Sequence, residues 1–174
     1  MVGRTVTTAC IGGLALGCAW GAWAEAARSP AHHAARGEAA LARGDIAGAL
    51  DAARAGTALD PADAPAQARL AYVSAAAAGA PTRETLRALT AAYDAAPFGS
   101  AEEMVWRVDF ADAYWASMPD ALAARTLSQI DALGRMGDDW RPRVRWCRSA
   151  VTEAIAAAAC ATVPGVEQGA DLTD

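Results

Sequence analysis

The stretch MVWRVDFADAYWASM, residues 104–118, holds the densest set of side chains that could recognise a ligand. On a helix, Trp106, Phe110, Ala113, Tyr114 and Ser117 share one face, and Met104, Val108, Ala111, Trp115 and Met118 lie nearly opposite. Glu102, Asp109 and Asp112 fall between the two. Aromatic rings beside carboxylates suit stacking on a sugar or the reception of a peptide. A helix apolar on two faces is either sandwiched between neighbours or keeps one face for a partner. Sandwiching is the simpler expectation, because Ala-rich neighbours leave space that large residues must fill. Trp106, Phe110 and Tyr114 are the candidate partner-binding residues if one face stays open.

The densest basic stretch is DDWRPRVRWCRS. Arg141, Arg145 and Arg148 recur at i, i+4 and i+7, forming one charged edge beside an expected apolar stripe of Trp140, Val144, Cys147 and Val151. Such an edge is ordinarily just solvated. Its alternative use is recognition of a carboxylate, a phosphate or an anionic headgroup, to which forked guanidinium groups are suited. Asp138 and Asp139 partly neutralise the cluster.

Catalytic chemistry finds little footing. His32 and His33 are adjacent, point in different directions on a helix, and are the only histidines, so they make no convincing metal site. No Gly-rich phosphate loop follows a strand. Acid pairs such as Glu102 with Asp109 could in principle serve a hydrolase, but helical proteins of this kind carry such acids as surface charge. No catalytic residue, metal or cofactor is expected, and the chain reads as a binding protein, not an enzyme.

The elements that must position these residues are helical. Of 174 residues, 50 are Ala, while Phe and Tyr together number five. Alanine buries little surface but gives high helix propensity and close helix–helix approach. No segment alternates as a half-buried strand does. All fifteen basic residues are Arg, in keeping with a GC-rich bacterial genome, and the net charge of −5 argues against a general nucleic-acid binder. Cys147 and Cys160 fall within what reads as one helix, where 13 residues span roughly 20 Å. That exceeds the ~7 Å limit between Cα atoms of a disulfide, so they pair only if the helix breaks.

Thr5 to Ala24 is an uncharged run long enough, at about 30 Å, to cross a bilayer once. Arg4 precedes it and Glu25 follows, which puts the amino terminus in the cytoplasm and the rest outside. Two readings stand. The long run and its single preceding Arg favour a retained single-pass anchor in the inner membrane, with a periplasmic carboxy-terminal domain. Ala22-Trp23-Ala24 equally fits a signal-peptidase site that would leave a soluble periplasmic chain beginning at Glu25. Gly13, Gly17 and Gly21 form a smooth stripe on which another membrane helix could pack. A lipoprotein site at Cys18 is weaker, since Ala15-Leu16-Gly17 departs from the usual lipobox.

Caps and breakers divide the remainder into helices over about 31–43, 46–59, 63–78, 83–96, 101–117, 119–133 and 139–163. Ser100 with Glu103 forms a capping box for the fifth. Gly134 and Gly137 are expected to follow the end of the sixth. The organisation is then an anchor or signal at 1–24, a helical domain at 25–163 and an acidic, disordered tail at 164–174.

Within that domain, ARGEAALARGDIAGALDAARAGTALDPADAPAQARLAYV resembles a tetratricopeptide repeat and the start of its neighbour. Gly37, Gly44, Asp45, Ala49, Leu59, Asp60 and Pro61 match that motif's small, turn and proline residues. In the second unit Leu70, Ala71 and Pro97 sit roughly in register, and the third keeps only the helical length. The resemblance implies an all-α stack of about three antiparallel hairpins closed by the long last helix, and a surface that binds peptides or larger assemblies. The expected function is an interaction scaffold or accessory subunit with an unidentified protein partner, in an envelope or polysaccharide assembly. The alternatives are a periplasmic glycan-binding module or glycan-acting enzyme using helix 102–118, and a small subunit joining a membrane complex through Gly13, Gly17 and Gly21.

Overall fold

The computed structural model describes residues 29–136 and 141–163. Among them are eight α-helices and no strand: α1 (Pro30–Ala42), α2 (Ile46–Leu59), α3 (Ala64–Ala78), α4 (Arg83–Ala95), α5 (Ala101–Tyr114), α6 (Asp120–Met136), α7 (Arg141–Ser149) and α8 (Glu153–Thr162). A single 3-10 turn, Trp115–Ser117, extends α5. No described helix is long and apolar enough to cross a membrane. The run 5–24, its cleavage site and its glycine stripe lie outside the described residues, as does the tail from 164.

Helix starts follow the local chemistry. Asp45, Asp63 and Thr82 each accept an N–H from three residues on. Ser100 and Glu103 exchange both bonds of the capping box, at 3.2 and 3.0 Å. These bonds satisfy donors that a helix N-terminus otherwise leaves unpaired. The turns after α1 and α3 pass through Gly44 and Gly79, both at φ +72°, where a side chain would be strained.

Packing proceeds by neighbours. Helices α1 and α2, α3 and α4, α5 and α6, and α7 and α8 form packed pairs; α2 also meets α3, and α8 meets α6. The result is a repeat-like arrangement of stacked helices. Gly37 is buried against α2, where a Cβ would stand 3.7 Å from the Ala52 Cβ and 3.9 Å from the Ala49 carbonyl oxygen. Leu70, Ala71, Leu89, Tyr93, Phe110 and Leu122 form one core region. A second joins Met104, Val108, Ile130, Leu133, Trp146 and Ile155. Helix α5 lies between them: Phe110 enters the first and Met104 and Val108 the second. The two-faced pattern of residues 104–118 is therefore that of a sandwiched helix.

The carboxy-terminal third departs from the sequence reading. The segment 139–163 is not one helix. It turns at Ala150–Thr152, and α7 and α8 pack on each other, bringing the Cα atoms of Cys147 and Cys160 to 4.7 Å in a disulfide. The carboxylate of Asp112, on α5, fixes the turn by accepting the N–H groups of Val151 at 3.0 Å and Thr152 at 2.8 Å. The buried side chains of α7 are Arg143 and Trp146. Of the expected stripe, Val144 and Cys147 are half-buried and Val151 is 88% exposed; Trp140 lies outside the described residues.

Gly134 does not end α6, which continues to Met136. It is instead where α8 comes close: a Cβ there would meet Thr162 at 3.1 Å. Gly134→Ala should destabilise the fold by about 1–2 kcal/mol through overpacking, despite alanine's helix propensity. Gly37→Ala, with ordinary contact distances, should stabilise it by about 0.5–1 kcal/mol. Urea unfolding of the two variants checks the opposite signs.

Candidate functional site

Trp106, Phe110 and Tyr114 fall on one face of α5, as their spacing dictates, with ring centroids 5.4 and 5.0 Å apart. Phe110 is 5% exposed and belongs to the core. Trp106 and Tyr114 pack against that core but stay half-buried. Together with Tyr72 and Ala76 of α3, Asp109 and Ala113, they line a groove of about 390 Å³. A second groove of about 550 Å³ continues on the other side of Trp106, lined by Val105, Leu133, Met136 and Pro142 with Glu102 and Asp109. Trp106 and Asp109 are common to both. The sequence reading missed Tyr72, an isolated exposed Tyr on α3 with no local signal; only packing places it opposite α5.

The acids of α5 are largely engaged in holding the next helices. Asp109 accepts two bonds from the Arg145 guanidinium, at 2.8 and 2.9 Å, and one from the Trp146 indole N–H at 2.6 Å. Asp112 fixes the α7–α8 turn. Glu103 closes its capping box. Glu102 remains exposed at the groove's edge. A carboxylate engaged like Asp109 is suited to be a strut, and poorly suited to exchange protons with a substrate.

The three arginines of the charged edge do different things. Arg145 is bound to Asp109 and lies 5.6 Å from the Trp146 ring centre. Arg141 and Arg148 are exposed. The arginines that matter most inside are two others. Arg107 is fully buried and donates to the Ala96 and Ala92 carbonyls at 2.8 and 3.0 Å, closing the C-terminal end of α4. Its guanidinium sits 4.8 Å from the Tyr93 ring centre. Burial lowers its pKa, and the nearby Glu103 partly offsets this. Arg143, also buried, donates to the Thr162 carbonyl at 2.5 Å and closes α8 in the same manner.

His32 and His33 meet edge to face, with ring centroids 5.7 Å apart. Among the described residues no three His, Cys, Asp or Glu side chains converge. No protein-family model matches the chain, and neither does any curated protein or solved structure.

Proposed function

We propose that this chain is a non-catalytic interaction scaffold of tetratricopeptide type, held at the periplasmic side of a bacterial inner membrane and serving an envelope or polysaccharide assembly. The observation that carries the reading is the groove along α5. Two adjoining hollows share Trp106, and their floor is apolar and aromatic. The nearest carboxylate, Asp109, is occupied as a strut. Such a surface can bind an extended segment through Tyr72, Trp106 and Tyr114, since rigid aromatic rings give large contact area at small entropic cost.

The tetratricopeptide assignment draws on the first hairpin. Gly37 admits α2 closely, Gly44 and Asp45 make the turn, and Pro61 follows the end of α2. Compartment draws on the Cys147–Cys160 bond, since disulfides persist in oxidising environments such as the periplasm. The segment 5–24 supplies either an anchor or a signal cleaved after Ala24. Intact mass decides: full-length chain in membranes alone supports the anchor, and a soluble chain beginning at Glu25 replaces it.

A photo-crosslinking residue placed in turn at Tyr72, Trp106 and Arg43 tests the scaffold reading in cells. A discrete protein adduct is expected at the first two positions and none at Arg43, in the exposed turn after α1. Equal labelling at all three, or none, overturns it. The glycan-binding alternative rests on the half-buried Trp106 ring beside Glu102 and Asp109; carbohydrate adducts at Trp106 in place of protein would favour it.

A further inference from the structure

We propose that the Cys147–Cys160 disulfide is a redox latch on this groove: its reduction by a dithiol releases α7 from the body of the protein and removes one wall of the groove. The inference rests on the scaffold reading for the groove's use, but not for the motion itself.

Helices α7 and α8 have 9 and 10 residues, below the ~12–15 at which an isolated helix holds its shape in water. Only Arg143 and Trp146 of α7 are buried. The extended packing of α7 is on α8, and that of α8 is on α6. Contact with α5 runs through Asp109 with Arg145 and Trp146, through Asp112 with the turn, and through the single Trp146 ring in the second core region with Met104 and Val108. The Arg145–Asp109 pair is itself half-exposed. Besides the backbone turn at 150–152, the disulfide is the covalent tie between α7 and α8, and it limits how far α7 can open when Trp146 leaves the core. Pro142, at the start of α7, forms part of the groove wall. Release of α7 therefore dismantles that side of the groove, frees Asp109, and uncovers the second core region where Trp146 sits.

Both cysteines are half-buried, so the bond is within reach of a reagent. A thiolate of the dithiol attacks one Sγ and breaks the S–S bond, giving a mixed disulfide. The dithiol's second thiolate then displaces the remaining cysteine. Two electrons pass to the protein, two protons complete its thiols, and the dithiol leaves as a disulfide. A disulfide oxidant reverses the exchange. The bond closes a 13-residue separation. The chain entropy regained when such a closure is lost corresponds to an increase of roughly 100-fold in the open population.

Hydrogen exchange on the full chain, with and without dithiothreitol, tests the latch. Intact mass confirms reduction by the gain of two hydrogens. The α7 amides should exchange about 100-fold faster once the bond is reduced, with those of α3 and α4 unchanged. The Cys147→Ser, Cys160→Ser double variant should behave as the reduced protein without reagent and ignore dithiothreitol. Unchanged α7 exchange after full reduction overturns the proposal. So does an equal rise in every helix, which marks the bond as a general staple. Crosslinking from Trp106 in the two redox states then tests the groove. Adducts should fall at least tenfold on reduction. Undiminished adducts overturn control of the groove by the latch. Adducts absent from both states overturn the scaffold reading, while the exchange result still reports on the hairpin alone.

Discussion

Arg107→Ala is expected to lower the free energy of unfolding by about 3–5 kcal/mol in urea titration, among the largest effects of any single change. The side chain is fully buried, and both terminal nitrogens bond the carbonyls of Ala92 and Ala96 at the end of α4. The Ala96 carbonyl lies past the last helical bond and that of Ala92 accepts the Ala96 N–H at 3.1 Å; both sit at the negative end of the helix dipole, which favours a cation. Alanine leaves the Ala96 carbonyl without its donor, takes one of two donors from that of Ala92, and opens a cavity beneath the Tyr93 ring. Arg107→Leu refills most of the volume but supplies no donor, so it should recover only the cavity part. Arg107→Lys keeps the charge but not the planar fork that reaches two carbonyls at once, and should recover less than half. A loss below about 1 kcal/mol in the alanine variant would mean that water replaces the guanidinium, and that the junction of α4 with α5 is not closed by Arg107.

Arg107 also marks where sequence reasoning stops. The starts of α2, α4 and α5 were legible because an N-cap and its partner lie three residues apart. The bonds of Asp45 to Gly48 and of Ser100 to Glu103 are local facts. The two apolar faces of α5 were legible because helical period alone assigns Phe110 and Met104 to opposite sides. Nothing local separates Arg107 from the exposed arginines, since what distinguishes it is the end of α4. The same holds for Asp112, whose bonds to Val151 and Thr152 span 39 and 40 residues. Helical propensity favours continuing through Ala150, whereas Asp112 stabilises the turn by satisfying two N–H groups there. Once the helix is broken, the 20 Å separation expected between Cys147 and Cys160 no longer applies.

The candidate site divides in the same way. Trp106 and Tyr114 could be placed together from their spacing on α5, but the groove needs Tyr72 from α3 and Pro142 from α7. Asp109 was legible as an acid beside aromatic rings. Its use as a strut was not, because Arg145 and Trp146 come to it from 36 and 37 residues away.

Trp146→Ala should cost about 3–5 kcal/mol, the range for deleting a buried aromatic ring. The indole is 2% exposed and packs in the core region with Met104, Val108, Ile130 and Ile155. Its N–H also holds the Asp109 carboxylate at 2.6 Å. Trp146→Phe separates the two contributions: it keeps most of the ring's contact and removes the donor, so it should cost about 1–2 kcal/mol. Asp109 would still hold the exposed Arg145, which limits the loss. The probe matters as much as the size of the change. If α7 unfolds with the stack, far-ultraviolet circular dichroism and hydrogen exchange in α3 report the same shift in both variants. If α7 opens alone, as a latched hairpin would, exchange rises in α7 while the midpoint for α3 stays in place. A midpoint for α3 that falls with Trp146→Ala would make the second core region part of one cooperative unit, and the groove's α7 wall as permanent as its α3 wall.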